Sequence, residues 1–140
     1  MYKIKNPATG AKATAWKWFA RFIKLRDALA TTGTLERCRC ITCGLVFDIT
    51  QTDAGHMIPG RSGGILFDEE IVHGQCIQCN RMGGGEKQAY KRIMVEKHGQ
   101  EWFEEKERAR KRPVKTGEHG YKMIADYYRI KCHELENSCK

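Results

Sequence analysis

Four cysteines, Cys40, Cys43, Cys76 and Cys79, form two Cys-x-x-Cys pairs. Such a turn presents two thiolates on one knuckle, and two knuckles close a tetrahedral site that suits zinc. These four are the expected ligands of a structural zinc ion. Gly44, directly after Cys43, lets backbone amides turn towards the sulfurs. Cys38 offers an alternative first ligand, but the i, i+3 spacing of Cys40 and Cys43 matches that of Cys76 and Cys79. A redox dithiol would sit more naturally in a βαβ context, which the pattern lacks. Cys76 lies 33 positions after Cys43, which leaves room for a functional hairpin between the knuckles.

That hairpin carries His56 in the run Gly55-His56-Met57-Ile58-Pro59, followed by the turn Arg61-Ser62-Gly63-Gly64. Imidazole is a good proton acceptor near neutral pH. Asn80 directly follows the last cysteine, where it either caps a helix or offers a carbonyl oxygen. Hydrolysis of a phosphodiester needs an activated water, neutralised phosphate charge and help for the leaving oxygen. A histidine and a hard divalent cation meet those needs together.

The elements that must position these residues follow from hydrophobic periodicity. Residues 1–11 read as a loose polar arm. Residues 12–31 read as a helix: Trp16, Phe19 and Ile23 recur at helical spacing, as do Trp18, Phe22, Leu25 and Leu29. These aromatics are expected to pack in the core, with Lys17, Arg21, Lys24 and Arg26 free to face phosphates. Strands are expected at 45–49, at 54–58 and around Ile71-Val72. A helix begins near Ile77 and is interrupted by Gly83-Gly84-Gly85. Residues 86–98 form a helix stopped by Gly99, and 100–112 continue as a charged helix that Pro113 ends. Within it, KERARKR (106–112) is either a solvated face or a phosphate contact. The last helix covers 121–135, with Cys132 inward. His98, His119 and His133 read as surface residues. The whole chain, 1–140, is expected to be one domain: an N-terminal helix (12–33), a zinc-framed core (38–85) and a helical C-terminal region (86–140).

Charge separates along the chain. The total of 25 Lys and Arg against 17 acids gives +8. Residues 1–39 hold nine bases and two acids (+7), residues 40–85 two bases and five acids (−3), and residues 86–140 fourteen bases and ten acids (+4). Basic flanks around an acidic centre suit a polyanion that meets a bound cation. No apolar run reaches the length of about 18 residues that spans a bilayer. Seven cysteines without a secretory leader point to a reducing compartment, the cytoplasm (of the host cell if the chain is phage-encoded).

The runs Asp53-Ala54-Gly55-His56, Ile71-Val72-His73-Gly74-Gln75-Cys76 and Cys79-Asn80 resemble the phage NinG (Rap) recombination endonucleases, and more broadly the HNH or ββα-metal endonuclease motif. The stretch Trp16 to Asp27 and Ala30-Thr31-Thr32-Gly33 is also similar. The resemblance implies an α+β fold: a zinc-stapled ββα-metal (HNH, treble-clef-like) core with helical flanks. It implies a structure-specific DNA endonuclease that cuts branched recombination intermediates, Holliday junctions and D-loops, leaving 5′-phosphate and 3′-hydroxyl ends. His56 takes the place of the general base, and Asn80 that of a ligand for catalytic Mg2+ or Mn2+. The family's usual Asp or His before the histidine, a metal ligand, is replaced by Gly55, so Asp53 becomes the substitute ligand. The middle Asn of the motif falls at Ile71, so His73 is assigned an orienting or ligand role. Arg61, Arg81 and Lys87 are the candidate DNA contacts. A symmetric dimer would suit paired cuts in a junction. Two alternatives remain open: a non-catalytic zinc DNA-binding module, and a nuclease of ordinary duplex or single-stranded DNA.

Overall fold

A computed structural model describes residues 7–58 and 63–139. The element order is α1 (Pro7–Thr32), β1 (Arg37–Arg39), β2 (Val46–Asp48), β3 (Thr52–His56), β4 (Val72–Cys76), α2 (Lys87–His98), α3 (Gln100–Lys111) and α4 (Glu118–Ser138). A π-helical turn, Gln78–Met82, follows the last strand. The fold is α+β, with two separate two-stranded antiparallel sheets, β1–β2 and β3–β4.

Helix α1 is longer than its periodicity suggests. It is already helical at Pro7, so residues 7–11 are not an arm; proline's fixed φ suits a first helical turn. Ala15, Phe19, Phe22, Ile23, Leu25 and Ala28 are buried along it. Phe19 meets Tyr128 of α4 edge-on, with ring centroids 4.9 Å apart, and Phe67 at 5.4 Å. Edge-to-face pairs of this kind add about 0.5–1.5 kcal/mol to the burial of their area. Helix α4 extends three residues beyond its expected range at each end. Its Cys132 is buried, with Sγ 3.7 Å from the Trp18 carbonyl.

The strands shift relative to the sequence pattern. Strand β1 has no hydrophobic alternation to betray it: Arg-Cys-Arg buries only Cys38. It pairs Cys38 with Phe47 across the first knuckle. Strand β3 starts two residues earlier than expected and ends on His56, while β4 runs on to Cys76. The register pairs Asp53 with Gln75 and Gly55 with His73. Helices α2 and α3 meet at Gly99, whose φ of +97° lies in a region that glycine adopts without steric cost. The basic run 106–112 is largely tied up: Lys106 binds Asp68 and Glu70, Arg108 and Arg112 bind Glu105, and Arg110 binds Glu107. Among the described residues, no helix is long and apolar enough to cross a membrane.

A charged clamp fastens α1 to β4. Asp27 Oδ2 accepts the Gly74 N–H at 2.8 Å, and Asp27 Oδ1 accepts Arg26 Nε at 2.8 Å. Arg26 also donates to the carbonyls of Glu69 and Val72, each at 2.9 Å. His73 bridges the group, with Nδ1 3.3 Å from Asp27 Oδ2 and Nε2 3.2 Å from the Glu70 carbonyl. Burial pushes the Asp27 carboxyl up, but hydrogen bonds from His73 and Arg26 outweigh it and hold the group below its ordinary range. A side chain at Gly74 would collide with Cys38 Sγ, so glycine is what lets β4 pass this close to β1. Asp27→Ala should destabilise the fold by about 3 kcal/mol, because it leaves a half-buried guanidinium without its carboxylate and strands the buried Gly74 N–H. Urea unfolding measures the loss. A depressed folded pKa means the Asp27 contribution is complete above about pH 4 and disappears as pH falls further, so variant and wild type should converge in acid.

Candidate functional site

The four sulfurs of Cys40, Cys43, Cys76 and Cys79 all lie within 4.8 Å of one another. Around a zinc ion with Zn–S bonds of about 2.3 Å, tetrahedral sulfurs sit about 3.8 Å apart. The Cys43 and Cys76 sulfurs are 4.0 Å apart. Each knuckle also turns an amide onto its first sulfur: Cys43 N–H towards Cys40 at 3.5 Å, and Cys79 N–H towards Cys76 at 3.4 Å. The four cysteines could therefore hold a zinc ion. Cys38 stands apart from them. It is fully buried, with its Sγ against Gly74 of β4, and is not one of the four clustered sulfurs.

Cys76 ends β4, and the chain turns directly into the π-helical turn that carries Cys79, Asn80 and Arg81. This brings Asn80 against Asp53 of β3, with Nδ2 donating to Oδ2 at 3.0 Å. Arg81 grips the same carboxylate with two parallel bonds, Nε to Oδ2 at 2.8 Å and Nη2 to Oδ1 at 2.9 Å. Burial raises the Asp53 carboxyl, but the Arg81 and Asn80 bonds prevail, so it lies below its usual range. The three residues line a cleft of about 320 Å³, closed on the other side by Trp16, Ala20 and Lys24 of α1. Burial lowers the pKa of Lys24 while the Asp53 charge raises it; the net shift is down.

His56 closes β3. Its Nε2 lies 3.2 Å from the Leu66 carbonyl, and its ring stacks on Trp16 with centroids 5.0 Å apart. A carbonyl can only accept, so that bond requires the proton on Nε2 and makes Nδ1 the basic nitrogen. Two residues of α2 hold the strand end from behind. Lys87 Nζ donates to the His56 carbonyl, and Tyr90 Oη donates to the Gly55 carbonyl at 2.8 Å. Trp16 touches both the cleft and the imidazole, so it joins the two halves of the site.

Asp53, Asn80 and Arg81 are thus brought together, with His56 nearby across Trp16. His73 belongs instead to the clamp on α1, and Lys87 is spent on a backbone carbonyl. Arg61 lies outside the described residues. Trp16 is not among the expected site residues, since helical spacing alone does not separate a core tryptophan from one that walls a cleft. Lys24 is expected only as one of four helix cations, with nothing to set it apart from the others. Gln75 carries no sequence signal at all. It is fully buried, its Nε2 donates to Thr42 at 3.1 Å and to the Gly85 carbonyl at 2.8 Å, and its Oε1 has no hydrogen-bond partner among the described residues. It ties the first knuckle to the end of the glycine run. It also explains Gly55: any Cβ there would overlap Gln75 Oε1 and lie 3.1 Å from its Cβ and Cδ. An acid before His56 has no room.

A family model described as "Bacteriophage Lambda NinG protein" matches residues 3–138. Proteins named ninG in Escherichia phage 933W and Salmonella phage P22 are 33% identical over 100 residues, covering 71% of this chain and 49% and 48% of theirs. The protein of that name in Escherichia phage lambda matches equally, with 48% of its length covered. The chain spans about half the length of these relatives. No solved structure matches it.

Two outcomes follow from the packing of the site. Cys40→Ser or Cys79→Ser should lose zinc and cooperative folding together, because binding energy at a structural site is folding energy. Colorimetric zinc release and circular dichroism read both; a metal-free variant that still melts cooperatively would contradict the structural role. Gly55→Ala should cost about 1–3 kcal/mol through overpacking. Adding Gln75→Ala should recover part of that loss, a non-additivity that a double-mutant cycle detects.

Proposed function

The chain belongs to the family of the bacteriophage lambda NinG protein, and on that premise we propose that it is a metal-dependent endonuclease of the HNH type, acting on branched DNA. The observation that carries this reading is the Asp53–Asn80 contact. It joins the first strand of a hairpin to the turn after the last knuckle, inside an open cleft rimmed by Lys24 and Arg81. The order of strand, strand and helical turn supports a ββα-metal assignment. The Asp53 carboxylate, with the Asn80 carboxamide turned to present Oδ1 instead of Nδ2, would offer the oxygen donors that suit a hard cation, Mg2+ or Mn2+. When bound, such a cation neutralises phosphate charge and stabilises the leaving oxygen.

The protein's own groups supply the rest. His56 Nδ1 takes a proton from the attacking water while Nε2 stays anchored to Leu66. The new P–O bond forms as the bond to the 3′-oxygen breaks, and the departing oxygen takes a proton from solvent water, leaving a 5′-phosphate and a 3′-hydroxyl. Lys24 and Arg81 are placed to meet the non-bridging oxygens. Lys87 assists indirectly by fixing the carbonyl of His56. Paired cuts in a four-way junction would call for two such sites, and hence a two-fold dimer.

One observation favours the alternative of a non-catalytic zinc DNA-binding module. Arg81 satisfies both oxygens of Asp53, as an ion pair without a cation would. A magnesium titration with a labelled four-way junction, alongside flap, duplex and single-stranded controls, separates the two readings. The nuclease reading expects cleavage that His56→Ala reduces by about 10²–10⁴-fold, with zinc content and junction binding retained. Asp53→Asn should also lower the rate and raise the magnesium requirement. Cutting by His56→Ala at the wild-type rate would sink the base assignment, and binding without cutting by the wild type would favour the module.

A further inference from the structure

The cleft at Asp53 does not end at Trp16. A second, larger cavity of about 670 Å³ continues along α1 and shares Trp16, Ala20 and Lys24 with the first as a common wall. Its floor is apolar, formed by Leu25, Leu35 and Ile49. Its edge carries Lys17, Arg21 and Lys24, at positions i, i+4 and i+7 of the helix. Three cations at that spacing fall in one stripe. Arg21 is partly neutralised at the far end by Glu136, at 3.0 Å, so the stripe remains net positive.

We propose that this trough receives an unpaired DNA strand running away from the Asp53–Asn80 cleft, so that the substrate carries a single-stranded segment beside the bond to be cut. The proposal rests on the nuclease reading for the position of that bond, but the binding it describes does not require cleavage. A duplex offers its phosphates to a basic surface and keeps its bases stacked inside, so it has no use for an apolar floor. An unpaired strand exposes both, and sites for such strands combine a basic groove with aromatic side chains on which bases stack, a part that Trp16 in the shared wall can take beside the aliphatic floor. The length also fits. Lys17 to Lys24 covers about 10 Å of helix axis, or about three nucleotides at the stacked rise of ~3.4 Å. Charge complementarity and continuity with the cleft both select this occupant.

The test uses the full zinc-loaded chain without Mg2+ or Mn2+. Anisotropy of a labelled fork with an oligothymidine arm is compared with that of a blunt duplex over a range of salt. Lys17 and Thr50 are both exposed, and Thr50 lines the trough opposite the basic edge. Lys17→Gln should make the salt dependence on the fork less steep by about 0.7 in log–log slope, the value for one single-strand phosphate contact. The slope on duplex should not change. Thr50→Glu should weaken fork binding by about tenfold, through a like charge beside the strand, and duplex binding by less than about twofold. Equal losses on fork and duplex, or no loss on either, would overturn the proposal. If both variants lose fork binding selectively while the wild type fails to cut any DNA with Mg2+ or with Mn2+, the trough stands and the nuclease reading falls. If the wild type cuts but neither variant discriminates fork from duplex, the nuclease reading stands and the trough falls.

Discussion

Cys76 belongs to two structures at once. It is the last residue of β4, paired with Thr52 across the hairpin, and it is one of the four clustered sulfurs. A metal at the knuckles would therefore fix where the hairpin ends, and with it the phase of everything the hairpin carries. Strand side chains alternate with a period of two, so a one-residue slip would send Asp53 to the opposite face. The turn after Cys76 would move as well, separating Asn80 from Asp53. A short two-stranded sheet has little power to hold its own register. Here the register is set from outside: by sulfur at one end, by the Asp27 clamp on Gly74 in the middle, and by Lys87 and Tyr90 behind His56 at the other end.

These restraints differ in kind. The sulfur cluster is local in sequence at each knuckle and long-range between them, so a bound ion would close a loop that chain entropy otherwise keeps open. The clamp is a buried carboxylate surrounded by a guanidinium, an imidazole and a backbone N–H. A group of that sort stabilises little over an apolar equivalent but penalises every misaligned alternative. Gln75 acts by shape. Its carboxamide fills the volume that a side chain at Gly55 would need, so the carboxylate nearest to His56 along the strand is Asp53, three residues before it. Asp53 and Gln75 are cross-strand partners, so the residue that excludes a side chain at Gly55 sits directly opposite Asp53.

What could be read from the sequence was whatever depends on local spacing. The knuckles are legible because i, i+3 thiols have few other uses, and the helices because their apolar periods are long. The proximity of Asp53 to Asn80 was legible only through resemblance, since 27 residues separate them and no periodicity links strand to turn. Strand β1 was invisible because Arg-Cys-Arg lacks an apolar pattern; the knuckle imposes the pairing. Trp16 looked like a core residue, and in part it is one, packing on Phe19 at 5.5 Å. Its second role comes from tertiary placement alone. The same holds for His73 and Lys87, whose neighbours in sequence suggest a site but whose side chains point to α1 and to a backbone carbonyl.

The charge pattern gains a physical meaning from this arrangement. The segment between the knuckles is acidic, and at the Asp53 cleft its own cation, Arg81, is engaged by Asp53. An acidic hairpin by itself would repel a polyanion. Helix α1 reverses the sign locally by laying Lys24 across the cleft and Lys17 and Arg21 beyond it. Lys24 is half-buried there, and removing a charge from water strengthens its interaction with whatever lies opposite. At present that is Asp53, which Arg81 and Asn80 bind directly and whose charge Lys24 also favours, without a direct bond. A divalent cation taking up the Asp53 charge would leave both side chains in need of an anion. On the proposed nuclease reading a phosphate would meet that need, and cation and DNA backbone would each favour the binding of the other, a coupling that arises from sharing one carboxylate among three cationic groups.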